Sequence, residues 1–429
     1  MNFLDRYNAA AARLRGLEED LHMSGRQFNT LISVLYIGYV LMQTPSNIFI
    51  DRLQKPSFYI SCCVLLWGLC SLGTGLSQSY HGALACRFFL GFCEAAFGPG
   101  SIFLLSRWYK RDELALRLAI LTSGSSVSYA FGAIIAGGVM EFMDGQLGLA
   151  GWRWLFVLEG SATILVAFLG FFIIPDYPTT PASWLTPEER AIACTRMEED
   201  VLTYDQEFVT TDKSKSGSII IETLTDWKVW WLGIALACIY ASGSFSNYFP
   251  TLSETMGYGP TVSLLLCAPP WLLATVSSLH LSRHSDSLRE RFWHIVAPLL
   301  VGIAGFILAI STMSISIRYL SLFIMAQSPL SVLLFTVWVS NSFPHSSAKR
   351  AIALAFINSL GTCGNIGASY FWPSAWGPSY TKSYLLCILM TLIAIPMLWV
   401  HRTHLESLNK AAEEKERALG EERGFRYLL

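Results

Sequence analysis

The chain has 429 residues, of which 53% are hydrophobic and only 14% charged, with a net charge of −1. A soluble globular chain carries about 25% charged residues, so the deficit points to a polytopic membrane protein whose lipid-facing surfaces need no charge. The near-neutral balance speaks against a nucleic-acid partner, and scattered cysteines without Cys/His ligand spacing speak against a disulfide framework, a zinc site or any other cofactor.

The first element, residues 1–16, reads MNFLDRYNAAAARLRG. It is short and carries Asp5, Arg6, Arg13 and Arg15, so hydropathy alone makes it an amphipathic or disordered leader. Apolar runs then recur at 27–50, 57–77, 82–105, 117–139, 154–175, 229–249, 261–281, 294–313, 319–342, 350–372 and 383–400. Each is close to the roughly 20 residues that a helix needs to cross a ~30 Å hydrocarbon core, giving about eleven spans. Connectors 51–56, 107–117, 283–291 and 343–350 are rich in Lys and Arg. Connectors 77–81, 140–153, 250–260, 314–318 and 373–382 are nearly free of them. The alternation is unbroken, and the positive-inside rule places the first set and the tail from 401 in the cytoplasm.

One long polar connector, 176–228, divides five spans from six. It opens with prolines and then carries Thr186-Pro187-Glu188-Glu189, an N-cap, a Pro at the first helical position and a capping-box Glu. A short charged helix over about 187–201 should follow, and 210–218 has the composition of a flexible linker. The organisation expected is an N-terminal transmembrane bundle (1–175), a cytoplasmic loop (176–228), a C-terminal bundle (229–400) and a cytoplasmic tail (401–429). Pro45, Pro99, Pro269 and Pro270 should kink their helices. Tyr80, Trp108, Trp152, Trp154, Trp230, Trp231 and Trp372 fall at span ends and suit an interfacial aromatic belt.

Within the third run, Arg87 and Glu94 stand seven residues apart, nearly two turns, and so on almost the same face. Intramembrane ionisable residues mark substrate or proton paths by default. At i and i+7 the two lie about 10.5 Å apart along the axis, too far for an easy direct bond. Other partners are needed. Counted from their outer ends, Glu94 lies at roughly 20 Å depth and Arg87 at roughly 9 Å, while Asp5 and Arg6 lie at about 15–17 Å. Asp5 and Arg6 are therefore the candidate partners, near the midplane where transporters place their sites.

The motifs carry a family resemblance. Phe3-Leu4-Asp5-Arg6-x-Asn8 resembles the first-helix signature of the anion:cation symporter family within the major facilitator superfamily. Arg87-x3-Gly91-x2-Glu94-Ala95-x3-Pro99-Gly100 resembles its fourth-helix signature. Arg107-Trp108-Tyr109-Lys110-Arg111-Asp112-Glu113, Gly151-Trp152-Arg153-Trp154-Leu155-Phe156, Lys349-Arg350-Ala351, Asn358-x2-Gly361-x2-Gly364-Asn365 and Trp372-Pro373 match later segments of it. The resemblance is nearest to fungal allantoate, nicotinate and pantothenate permeases.

It implies an all-α polytopic membrane protein with the major facilitator fold: two six-helix bundles, the first helix truncated because Met1 falls in its middle. The expectation is a clipped gene model, which transcript sequencing upstream would test. It also implies an anion cavity to which Asn358 contributes, with Gly361 and Gly364 allowing close helix packing. Tyr240, Asn247, Gln327 and Asn365 are further polar residues within spans, and interhelical hydrogen bonding is their ordinary role. The loop signature between helices two and three is degraded. Asp51 and Arg52 survive as a gating loop, with Asn47 and Gln54 replacing glycines, and 286–291 parallels it in the second half.

The chemistry follows from the charges. Arg6 and Arg87 offer planar forks for a small organic anion, a carboxylate or ureide. Glu94, and secondarily Asp5, would carry a proton, since a carboxyl in low dielectric favours its neutral form. Substrate and proton would load together and cross by rocking of the halves. The reading is a monomeric, multi-pass plasma-membrane proton symporter, without cofactor and without enzymatic activity. A drug:proton antiporter of the same fold is the alternative, but the fourth run, 117–139, lacks the Gly-Pro of that class. A transport-dead remnant is the other alternative. No HExxH, GxSxG or paired-aspartate motif supports an enzyme.

Overall fold

A backbone in hydrocarbon must satisfy its own N–H and C=O groups, and a helix does so within one segment. The computed structural model describes residues 2–109, 111–180, 185–207, 216–343, 347–419 and 426–429, and among these it contains helices and no strand. Certain helical side chains, Asp51 and Arg52 among them, lie outside the described residues, and so does the gating-loop assignment that rests on them. The chain divides into two compact units.

The first unit comprises 1–24 and 34–216. Its helices are α1 (Asn2–Arg13), α2 (Leu17–Asp20), α3 (Gly25–Arg52), α4 (Pro56–Leu76), α5 (Tyr80–Glu94), α6 (Phe97–Trp108), α7 (Arg111–Phe142), α8 (Gly151–Ile173) and α9 (Pro187–Glu207). The opening turns of α3, 25–33, group with the second unit. The N-terminal segment is no surface leader. Ala9, Ala10, Ala11 and Ala12 are all buried, and α1 packs on α7 and α8. Alanine is the best helix former, and its small side chain lets neighbouring backbones approach. Hydropathy failed here because three charges, Asp5, Arg6 and Arg13, mask a helix that packs on protein.

The run 82–105 is two helices, not one. It breaks at Ala95–Ala96, directly after Glu94. Pro99 has no N–H to give the Ala95 carbonyl, so the ladder cannot continue through this point. Gly91, midway between the two charges, lets α5 meet α3. A Cβ there would overlap the Leu35 carbonyl.

The connector after α8 is anchored at its start. Ser57 N–H and hydroxyl donate to Asp176 Oδ1 at 3.0 and 2.6 Å, and Trp108 Nε1 donates to the Asp176 carbonyl at 3.0 Å. The capping box forms as expected. Glu189 N–H donates to Thr186 Oγ1 at 3.3 Å, and Thr186 N–H and hydroxyl donate to Glu189 Oε2 at 2.9 and 3.0 Å. Those bonds from Thr186 hold the Glu189 carboxyl below its ordinary range. The helix runs on to Glu207. Residues 208–215 lie outside the described residues, and the rest of the expected linker is already helical from Ser216.

The second unit holds 217–429, with α10 (Ser216–Thr225), α11 (Trp227–Ser242), α12 (Phe249–Glu254), α13 (Pro260–Leu265), α14 (Ala268–Leu288), α15 (Phe292–Ser311), α16 (Ile315–Met325), α17 (Leu330–Asn341), α18 (Ser347–Ala368) and α19 (Thr381–Leu419). Its core joins Leu232, Leu236, Phe335, Trp338, Ile357 and Leu398. A Cβ on Gly364 would overlap the Ala237 carbonyl, so this glycine sets the close approach of α18 to α11. Pro269 falls in the first turn of α14, after a break that parts α13 from α14. Pro45 lies inside an unbroken α3. The basic Lys349 lies 3.1 Å from Glu222 and 3.3 Å from Asp226, while Asp286 pairs with Arg291 within its own connector at 2.6 Å.

Among the described residues, seven helices are long and apolar enough to cross a membrane, beginning at Pro56, Gly151, Trp227, Pro260, Phe292, Ile315 and Thr381. The remaining expected spans are present as helices: α5–α6, which is broken, and α3, α7 and α18, each with side chains outside the described residues. The tail from 401 is, as far as Leu419, a continuation of α19. The aromatic-belt reading needs correction at two positions. Trp152 and Trp372 are both fully buried. Their indole N–H groups donate to Asp20 Oδ2 at 2.8 Å and Ser244 Oγ at 3.0 Å, and a protein acceptor for its N–H lets an indole be buried.

Candidate functional site

Arg87 and Glu94 of α5 both meet α1, at Asp5 and Arg6. Arg6 Nε donates to Glu94 Oε1 at 2.7 Å, an ion pair whose acid is fully buried and whose arginine side chain is 17% exposed. The Arg6 guanidinium lies 5.0 Å from the Tyr39 ring centre and 5.5 Å from that of Tyr36, both on α3. Glu94 Oε2 has no hydrogen-bond partner.

Arg87 is engaged differently. Its Nη1 donates to the Asp5 backbone carbonyl at 2.9 Å, and its guanidinium lies 5.0 Å from the Phe156 ring centre. It is 2% exposed, and its Nε and Nη2 have no hydrogen-bond partner. The partner expected for it, Asp5, is thus met through the carbonyl and not the carboxylate. The Asp5 carboxylate is taken by neutral donors on α4: Trp67 Nε1 at 2.7 Å and Ser71 Oγ at 2.7 Å. Both of its oxygens are then satisfied, which frees the arginine.

The spacing argument therefore locates the partners well. Arg87 and Glu94 do not bond each other; each meets α1, one at Asp5 and one at Arg6. The geometry has a chemical consequence. Arg6–Glu94 is a closed pair, partly open to approach, in which protonation of Glu94 would release a cation. Arg87 is a buried cation with two donor groups unspent. Breaking a buried pair by removing one partner typically costs about 3–5 kcal/mol, so the energetic stake in this cluster is large.

Asn358 lies in the second unit, half-buried on α18, and accepts from Tyr240 OH at 3.2 Å. Tyr240, expected to make ordinary interhelical bonds, does so here. Gln327 Nε2 turns back to the Phe323 carbonyl at 3.1 Å. Glu159 on α8, which no motif singled out, is 5% exposed and accepts from Asn8 Nδ2 at 2.6 Å. A lone acid within the run 154–175 was the available signal. Trp67 and Ser71 gave none, because a serine and a tryptophan inside an apolar run look like ordinary packing residues. Among the described residues no group of three or more metal-ligating side chains is found.

Two helical units, with seven helices long and apolar enough to cross a membrane among the described residues and opposite charges buried among the helices of the first, define a polytopic membrane transporter. A family model described as Major Facilitator Superfamily matches residues 1–369, and the chain belongs to that superfamily of transporters. It is 30% identical over 431 residues to the major facilitator-type transporter hxnP of Emericella nidulans, covering 96% of this chain and 84% of that one. It is 29% identical to a putative tartrate transporter of Agrobacterium vitis, covering 97% and 94%. Among solved structures, a bacterial homolog to the human lysosomal transporter Spinster superposes with a TM-score of 0.69 at 18% identity, over 93% of each chain. The D-xylose-proton symporter does so with a TM-score of 0.65 at 14% identity, over 93% of this chain and 94% of that one. At these identities the two structures speak for the fold alone.

Proposed function

We propose that this transporter is a proton-coupled symporter of a small organic anion, of the anion:cation symporter type, working by alternating access of membrane bundles 1–175 and 229–400. The observation that carries this reading is the pairing on α1: Arg6 neutralised by Glu94 at 2.7 Å, beside Arg87 with two unspent donors. The anion is bound by the arginines, whose planar forks match a carboxylate. Glu94 carries the proton. While ionised it occupies Arg6; once protonated it gives up the ion pair, and Arg6 is available to the substrate. Proton and anion therefore favour one another's binding. Asp5, held by Trp67 and Ser71, orients α1 and is the secondary proton candidate. Asn358, bonded to Tyr240, completes the polar lining, and Asp51 and Arg52 act in gating.

The relative from Agrobacterium vitis, named a putative tartrate transporter, supports a carboxylate as substrate. The protein works as a monomer in the plasma membrane. The test is uptake in cells that lack their own permeases, using radiolabelled small carboxylates and ureides. Glu94→Gln should abolish proton-driven accumulation and spare substrate exchange. Accumulation against a gradient retained by that variant would refute the assignment.

A further inference from the structure

Glu159 is the buried acid that this mechanism does not use. Its Oε2 accepts from Asn8, while its Oε1 and the Oδ1 of Asn8 are both buried without a hydrogen-bond partner. No ion pair among the described residues includes it. α8 packs against α1, α4 and α7, and these bring the following groups among the described residues. From α1 come Tyr7 and Asp5, the latter one turn before Asn8 and bound to Trp67 and Ser71. α4 has no Asp, Glu, Lys, Arg or His, and offers Tyr59, Cys62, Cys63 and Cys70. From α7 come Tyr129 and Glu141, the latter paired with Arg15. On α8 itself Arg153 bonds the Gly75 and Ser77 carbonyls. Arg87 of α5 lies against Phe156 but donates to the Asp5 carbonyl. The side chains of the buried cluster thus set Asp5, Glu94 and Glu159 against Arg6 and Arg87, and the chain's α-amino group adds a positive charge acting on Asp5 and Glu159. A buried carboxylate oxygen that accepts no hydrogen bond is strongly disfavoured.

We propose that Glu159 and Asn8 form a proton-binding site separate from Glu94: a carboxylic acid–amide pair that joins α8 to α1. A proton on Oε1 makes it a donor to Asn8 Oδ1, while Asn8 Nδ2 donates to Oε2. No covalent bond to a heavy atom breaks, the side chain goes from −1 to neutral, and both orphaned oxygens are satisfied together. Glu94 differs in kind, because its partner is a cation. The site stands whether or not Glu94 carries the transported proton.

Infrared spectroscopy of the full chain in liposomes, titrated from neutral to alkaline pH, reads protonated carboxyl groups directly. The wild type and Glu94→Gln should show a hydrogen-bonded carboxylic C=O component at neutral pH that Glu159→Gln lacks. Asn8→Leu should keep the component and move it to higher frequency, since its hydrogen bond is gone. A component unchanged in Glu159→Gln, or at the same frequency in Asn8→Leu, overturns the proposal. Should Glu159→Gln not fold, Asn8→Leu decides alone.

Discussion

At the scale of single residues, function rests on which donors are spent and which are free. Arg87 has one of its donors on a backbone carbonyl and two unpartnered. A lysine there keeps the charge and loses the fork, and hydrogen bonds to charged groups are worth about 1.5–3 kcal/mol. Arg87→Lys should therefore raise the half-saturating substrate concentration about tenfold or more in uptake assays, with folding intact. Arg6 and Glu94 act as a unit. Arg6→Met strands a fully buried carboxylate and should lower stability by about 3–5 kcal/mol. Adding Glu94→Gln should recover most of that loss, because a neutral carboxamide needs no cation. Thermal unfolding of the two single variants and the double variant measures the coupling directly.

At this scale the sequence was legible where a charge interrupts an apolar run. Arg87, Glu94, Asp5 and Arg6 all announce themselves so, and the depth count set Asp5 and Arg6 between the other two. What it could not tell was the choice between the Asp5 carbonyl and carboxylate, since that depends on Trp67 and Ser71 reaching the carboxylate first. Glu159 interrupts its run in the same way and was legible by the same rule.

At the scale of elements, close approach decides which helices can bring these residues together. Gly91 sits between Arg87 and Glu94, and its missing Cβ is where the Leu35 carbonyl lies. Gly91→Leu should push α5 off α3 and sharply reduce the yield of monodisperse protein in detergent size-exclusion runs. Gly124, whose Cβ would meet nothing within 4 Å, is the control, and Gly124→Ala should behave as wild type. Outside the membrane segments, α9 begins at a capping box whose Glu189 is held below the ordinary carboxylate range. A lowered folded value means that the cap contributes above the unfolded carboxyl range and is lost as pH falls through the folded one. Hydrogen exchange at the Thr186 and Glu189 amides should accelerate on acidification in that window, and Glu189→Gln should flatten the response.

The capping box was readable because it is local, four residues with their own hydrogen bonds. The split of α5 from α6 was foreshadowed by Pro99 but not its place. The burial of α1 was hidden, because hydropathy scores a helix against lipid while α1 packs against protein. Trp152 and Trp372 misled for a related reason: position at a span end does not reveal a protein acceptor for the indole.

At the scale of the molecule, length, composition and the alternating Lys/Arg pattern were enough for an all-helical, multi-pass fold, and the family match over 1–369 agrees. The division of labour proposed here assigns anion and proton to the first unit, around α1, and polar lining to Asn358 in the second. Purified protein in liposomes tests it most directly, by following one radiolabelled carboxylate under an inward proton gradient, with and without a protonophore. Proton-coupled symport predicts transient accumulation above equilibrium that the protonophore abolishes and that Glu94→Gln never shows. Equal uptake with and without the gradient, or accumulation driven only by an outward gradient, would contradict it.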